Sequence, residues 1–261
     1  EEGLIRDGHG DLLADDIFCL DDGPRILDCL AFADRLRHGD VLLDVAFLAM
    51  DLERLGAPDL AEQLLEAYTE FSDERHPPSL AHHYVAYRAL VRAKIAFLRV
   101  PDEGATARAE AEALLDRCLR HLEAARVRLV LVGGPPGTGK STLARGLGED
   151  RGWTVLSSDE IRKELAGREW SDRGGEQLDE GMYDRDSTVT TYRTLRERSH
   201  QWLELGESVV LDASWGRAAD SALAADLAAD TMSDLVELRC DCPEDVVEER
   251  IRARQQADTD V

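Results

Sequence analysis

The chain has 261 residues, with 31 Lys and Arg against 54 Asp and Glu, for a formal net charge of -23. Its 43% hydrophobic and 33% charged content describes a folded globular protein rather than a disordered or membrane chain. So negative a surface repels nucleic-acid phosphates and anionic bilayers, which argues against a nucleic-acid polymer or a membrane as partner.

In chain order, segments 17–20 and 25–29 alternate as short strands around the turn Asp21-Asp22-Gly23-Pro24. Val41, Leu42, Val45, Ala46, Leu48, Ala49 and Leu52 recur at helical spacing, with Gly56 and Pro58 marking the end. The apolar run 41–50 is interrupted by Asp44, falls short of the ~20 residues that span a bilayer, and reads as a buried helix. A second amphipathic helix carries Leu60, Leu64, Leu65, Tyr68 and Phe71 and breaks at Pro77-Pro78. Two more are predicted at 80–100 and 103–125, separated by Pro101. Residues 1–125 therefore form a mainly α-helical unit with a small β-hairpin.

From residue 126 the texture changes to alternating strand and helix. Strands are expected at 127–132, 154–156, 208–211 and 235–240, with helices at 140–147, 159–166, 186–205, 218–229 and 244–254. This alternation predicts βαβ units and an α/β domain on a four-stranded parallel sheet. The five cysteines (Cys19, Cys29, Cys118, Cys240, Cys242) form no CxxC pair. If the last strand continues, Cys240 and Cys242 share a face as packing thiols. The acidic N-terminus lacks a signal-peptide core, so a cytoplasmic location is expected.

The strongest chemical signal is Gly134-Pro135-Pro136-Gly137-Thr138-Gly139-Lys140-Ser141-Thr142, placed between an apolar strand and a helix. This is the strand, glycine-rich loop and helix arrangement of a Walker A phosphate-binding loop. Backbone amides can converge on a β-phosphate, Lys140 can reach the β and γ oxygens, and Ser141 can bind magnesium. ATP and Mg2+ are the expected cofactors. Ser157-Ser158-Asp159-Glu160-Ile161-Arg162 follows the second strand and puts Asp159 and Arg162 on one helix face at the ligand-binding edge of the sheet. Asp159 is the candidate base for an acceptor hydroxyl, with Arg162 as its phosphate-side partner. Asp212 ends the third strand in VVLDAS like a Walker B acid, a second candidate magnesium ligand. Arg250, Arg252 and Arg254 on the last helix can lead into a lid over the nucleotide, with Arg250 and Arg254 the candidate phosphate contacts. The polar loop 167–185 could contact an acceptor through Trp170, Tyr183 and Arg185.

These segments (GGPPGTGKSTLA, SSDEIRKELAG, SVVLDAS and CDCPEDVVEERIRAR) resemble the P-loop kinases that include 5′-hydroxyl polynucleotide kinases, zeta toxins and gluconate-kinase-like enzymes. The resemblance implies ATP-dependent phosphorylation of a hydroxyl. It also implies that the rest of the lid and a closing strand lie beyond residue 261.

His9-Gly10-Asp11-Leu12, followed by Asp16, a hairpin and Asp28, resembles the catalytic loop of aminoglycoside phosphotransferases and choline-kinase-like enzymes. It implies that Asp11 accepts a hydroxyl proton, and that Asp28 and Asp16 bind magnesium. Asp16 stands where that family has Asn. The lobe that would carry the glycine-rich loop and strand lysine is not in this sequence, so the Asp11 site is expected to be incomplete. His9 is read as a structural hydrogen-bonding residue. Together the two halves resemble aminoglycoside-phosphotransferase-like proteins fused to an AAA-type ATP-binding kinase domain, with a small-molecule hydroxyl as acceptor. Two further readings use the same loop: an ATP-binding regulatory module with no acceptor, and a toxin-like polynucleotide or nucleotide-sugar kinase.

Overall fold

The computed structural model describes residues 5–72, 76–167 and 185–259. The chain divides into two compact units, Glu1–Arg126 and Val127–Val261.

The first unit opens with a β-strand, β1 (Ile5–Asp7), paired antiparallel with β4 (His38–Asp40), a pairing that three-residue segments do not announce in sequence. Between them lies the hairpin of β2 (Ile17–Leu20) and β3 (Gly23–Ile26). The second strand thus falls earlier than the expected 25–29. Leu20 pairs with Gly23 across a two-residue turn, and Asp28 takes the left-handed region (φ 64°), which ends extended pairing before Cys29.

Four helices follow: α1 (Val41–Arg54), α2 (Pro58–Ser72), α3 (Pro78–Glu103) and α4 (Ala105–Ala124). Asp40 caps α1 by accepting from the Leu42 amide at 2.9 Å. Phe47, Met50, Val85, Leu114 and Cys118 fill the core among buried alanines of α1, α3 and α4. Such small residues let helix axes approach closely. Pro101 does not separate two helices as expected. It lies in the last turn of α3, where its missing N–H forfeits one bond, and the break comes at Gly104 (φ 63°).

Two polar assemblies tie this unit together. On α1, Asp44 accepts from the amides of His9 (2.5 Å) and Gly10 (2.9 Å), and Asp51, two turns on, accepts from Ala14 (3.0 Å). Arg88 of α3 donates to the carbonyls of Gly10 and Leu43 and pairs with Asp44 at 3.5 Å. Residues 8–14 are thereby clamped to the helical core. Further along, Glu53 of α1 receives Arg117 (3.0 Å) and His121 Nε2 (2.9 Å) from α4, and His121 Nδ1 meets His82 Nδ1 of α3 at 2.9 Å.

The second unit is a parallel sheet in the order β6-β7-β5-β8, made from β5 (Arg128–Gly133), β6 (Thr154–Ser157), β7 (Val209–Asp212) and β8 (Asp234–Arg239). Its helices are α5 (Lys140–Arg151), α6 (Ser158–Leu165), α7 (Arg185–Glu204), α8 (Ala218–Asp230) and α9 (Glu244–Thr259). The central strands β5 and β7 are buried on both faces, which is why they read as unbroken apolar runs. Leu129, Leu131, Val209 and Leu211 pack on Ile161, Leu195 and Leu227, while Val130, Val132 and Val210 pack on Ala144 from the other side. The last strand ends at Arg239, so Cys240 and Cys242 lie beyond it and do not share a strand face. The Cys240 amide instead donates to the Gly133 carbonyl at 2.7 Å. Among the described residues, no helix is long and apolar enough to cross a membrane.

The histidine pair makes the first unit acid-sensitive. A bridge between two Nδ1 atoms requires one of them to be unprotonated. Burial, then the neighbouring His121 charge, pushes the His82 imidazole below 6.5 despite the Glu53 charge. Burial pushes the Glu53 carboxyl up, but His121 and Arg117 together bring it below 4.5. Both groups are depressed in the folded state, so unfolded chains bind more protons in acid. The His82 contribution is complete above pH 6.5 and is lost as pH falls below it; the Glu53 contribution follows below pH 4.5. Hydrogen-exchange protection of α3 and α4, corrected for intrinsic rates, should fall from pH 7 to pH 5 in the full chain. In His82→Gln that fall should flatten; an equally steep fall would contradict the assignment.

Candidate nucleotide-phosphate site

The phosphate loop leaves the C-terminal end of β5 and enters α5 at Lys140. Gly134, Gly137 and Gly139 all have positive φ (136°, 82° and 95°). The requirement is strictest at Gly134, where a Cβ would lie 2.2 Å from the Cys240 carbonyl oxygen. The loop is closed by two bonds to one acceptor: the Thr138 hydroxyl (2.8 Å) and Lys140 Nζ (2.9 Å) both donate to the Pro135 carbonyl. Pro136 is exposed at the turn, and Ser141 and Thr142 follow in the first turn of α5, whose N-terminal dipole adds positive potential.

Asp212 ends β7 in register with Val132 of β5 and Ser157 of β6, and is 6% exposed. Burial pushes its carboxyl up, a hydrogen bond with Ser141 and the Lys140 charge pull it back, and Asp159 pushes it up again. Glu160 is raised by burial and then by Asp212, against Arg145 and Lys163. Negative charge is thus concentrated beside the Ser141 hydroxyl. Among the described residues no three His, Cys, Asp or Glu side chains form a metal cage. The pair Ser141 and Asp212 fits magnesium, which keeps waters and binds through one or two protein oxygens plus phosphate. The open, positive-φ loop fits the phosphates themselves.

Asp159 stands at the start of α6, 68% exposed, and accepts from Arg162 at 3.0 Å. Arg162 is only 8% exposed in its side chain. The three-residue spacing brings the pair together, and burial makes Arg162 a fixed support for the Asp159 carboxylate. Arg250 of α9 reaches back to donate to the Gly137 carbonyl at 3.4 Å. It closes a groove of about 860 Å³ walled by Gly139, Thr142, Leu143 and Leu147. Arg252 is spent on an exposed ion pair with Glu248. The side chain of Arg254, the candidates Trp170 and Tyr183, and the side chain of Arg185 lie outside the described residues.

In the first unit, the clamp on residues 8–14 places Asp11 on a rigid loop, with its charge near Arg88. His9 Nε2 meets the Leu27 carbonyl at 2.8 Å, linking the loop to the segment that carries Asp28. Asp16 accepts from the Leu13 amide at 3.1 Å, so one carboxylate oxygen serves the turn. Asp44, Asp51 and Arg88 were not singled out as loop anchors from sequence. The available signal was two acids seven residues apart on one face of an otherwise apolar helix.

A Gly134→Ala substitution tests the loop geometry. It forces a Cβ against a backbone carbonyl at an unfavourable φ and should destabilise the second unit by about 3 kcal/mol in urea unfolding. Unchanged stability would mean that the loop does not approach Cys240 in this way.

An AAA domain family model matches residues 129–261. The uncharacterized protein Rv2004c of Mycobacterium tuberculosis (strain H37Rv) and the uncharacterized protein Mb2027c of Mycobacterium bovis are each 47% identical over 262 residues, covering 100% of this chain and 52% of the relative. The chain therefore spans about half the length of these curated relatives. Among solved structures, the Mycobacterium tuberculosis APS kinase CysC in complex with AMPPNP and APS is 26% identical, covering 51% of this chain and 76% of that one, with a TM-score of 0.38. A sugar kinase from Janibacter sp. HTCC2649 is 18% identical, covering 49% of this chain and 66% of that one, with a TM-score of 0.36. The family match falls on the β5 strand, the phosphate loop, Asp159 and Asp212 together, and the chain belongs to the AAA domain family.

Proposed function

We propose that this protein is an ATP- and magnesium-dependent phosphotransferase acting on a hydroxyl of a small molecule in the cytoplasm. The observation that carries the reading is the convergence of Lys140, Ser141, buried Asp212 and the Asp159–Arg162 pair at one edge of one sheet. A generic nucleotide switch needs the first three; the exposed, supported carboxylate of Asp159 serves an acceptor.

Bound ATP with magnesium supplies an electrophilic γ-phosphorus. Loop amides and the α5 N-terminus hold the phosphates, and Lys140 exchanges the Pro135 carbonyl for phosphate oxygens. Ser141 and Asp212 would hold the metal, and Arg250 bounds a groove that would receive the nucleoside. Asp159 takes the acceptor hydroxyl proton as the acceptor oxygen bonds phosphorus and the β–γ bridge breaks to release ADP. Arg162 keeps the Asp159 carboxylate in place and offsets its charge. Residues 1–125 are proposed as an aminoglycoside-phosphotransferase-like C-terminal lobe, with Asp11 and Asp28 in its catalytic and metal positions. The clamp of Asp44 and Arg88 on the Asp11 loop supports that reading. The net charge of -23 favours a small acceptor over a nucleic-acid polymer.

Incubating the chain with ATP, magnesium and a cell metabolite extract, and searching by mass spectrometry for phosphorylated products, tests the proposal. Lys140→Ala should lower product formation by about a hundredfold or more. Asp159→Asn should lower kcat by a similar factor with little change in acceptor KM. Full turnover in Lys140→Ala would overturn the assignment.

A further inference from the structure

The phosphate loop separates two cavities with different linings. On one side lies the Arg250 groove, walled by Gly137, Thr138 and Gly139. On the other lies a cavity of about 540 Å³ that touches the loop through Gly133, Gly134 and Pro135 and shares no lining residue with the first. Pro135, whose carbonyl holds Lys140, thus lies at the lip of the second cavity.

The second cavity follows from strand register. Leu131 pairs with Glu237 and Gly133 with Arg239 across β5 and β8. These positions alternate onto one face, so Glu237 and Arg239 stand two apart on the edge strand, both exposed. Gly133 has no side chain, which opens space opposite Arg239. Trp215 closes that space, with its ring so near that a Cβ on Gly133 would lie 3.1 Å from indole Cδ1. Trp215 itself sits in the left-handed region (φ 49°), a strained position for a bulky side chain. It is held there from behind: Tyr192 meets it edge-on at 5.5 Å and 83°, the Tyr192 hydroxyl accepts from the Trp215 amide at 3.4 Å, and indole Nε1 donates to the Leu211 carbonyl at 3.5 Å. Trp215 thus packs on the sheet core and, held rigidly by these supports, also lines the cavity.

The chemistry of the wall identifies what it takes. Glu237 accepts hydrogen bonds, Arg239 donates them, and Ser214 and Ser221 do both. The two charges cancel, and among the described residues neither is spent in an ion pair. An anionic ligand would meet Glu237 and the net negative surface; a cation would meet Arg239. A flat indole offers a surface to C–H groups. The geometry points to the Trp215 cavity as a binding site for a neutral polyhydroxylated ring such as a cyclic sugar or cyclitol, at the β8 edge of the sheet and apart from Asp159, which follows the opposite edge strand β6. Its β7 lip, Ser214, is two residues past Asp212, while none of Lys140, Ser141, Asp159 or Asp212 lines it. The binding it predicts is independent of the phosphotransferase reading and does not require turnover.

Saturation-transfer NMR and calorimetry on the full chain, without nucleotide, with neutral hexoses, pentoses and myo-inositol as probes, test it. Phosphorylated sugars and free nucleosides form the control arms. At least one neutral ring compound should bind saturably, with affinity reduced tenfold or more in Trp215→Ala and in Glu237→Gln. Trp215 packs on the sheet core, so its variant could unfold; Glu237 is exposed, and its variant keeps the test valid. ATP–magnesium affinity should change less than twofold in Glu237→Gln. Absence of binding by every neutral ring, undiminished binding in Glu237→Gln, or a stronger response to the phosphorylated or nucleoside arms would overturn the site. If an acceptor is phosphorylated while no neutral ring binds, the site fails and the kinase reading stands. If neutral rings bind at Trp215 but no product forms, the binding site stands and the kinase reading fails.

Discussion

The second unit depends on a carboxylate that the fold buries at a cost. Asp212 ends the central strand β7 between β5 and β6, away from water, with the Ser141 hydroxyl and the Lys140 ammonium as its partial compensation. An ionised carboxylate in such a place is expensive unless a cation or a hydrogen bond offsets it. The folded chain therefore holds a site short of positive charge at the point where the phosphate loop ends. That shortage explains why the loop, the helix start and the strand tip must stay in register. Gly134 packed against the Cys240 carbonyl sets the loop's position relative to β8, and the Pro135 carbonyl holds Lys140.

The first unit uses the same physics for a different purpose. Asp44 and Asp51 lie on an apolar face of α1, and their cost is offset by backbone amides of residues 9–14 and by Arg88 and Arg54. An irregular segment with unpaired amides would otherwise need water. The acids convert it into a fixed platform for Asp11. The His82–His121–Glu53 chain performs a similar cross-linking of α1, α3 and α4.

The features readable from sequence were those encoded locally. The phosphate loop is nine consecutive residues, the Asp159–Arg162 pair is one helical turn, and Asp212 ends an apolar run, so spacing alone placed them. The parallel sheet was equally plain, because strands buried on both faces leave continuous apolar segments. What sequence spacing did not show depends on partners far along the chain. Asp44 meets His9 across 35 residues and His82 meets His121 across 39, and no period in the sequence links them. The β1–β4 pairing was missed for the same reason. Pro101 misled because proline is tolerated in a final helical turn, where only one bond is lost and Gly104 supplies the true stop. The Trp215 cavity escaped notice because it arises from a glycine on one strand facing an arginine on another.

The account stands or falls on whether the buried charge of Asp212 is there to hold a metal beside bound phosphates. ATP affinity measured by calorimetry with and without magnesium, in the unaltered chain and in Asp212→Asn, tests this directly. The account predicts opposite signs: affinity for ATP–magnesium falls at least tenfold, while affinity for metal-free ATP stays equal or rises, because a like charge beside the phosphates has been removed. A parallel loss in both conditions, or no change in either, would contradict it.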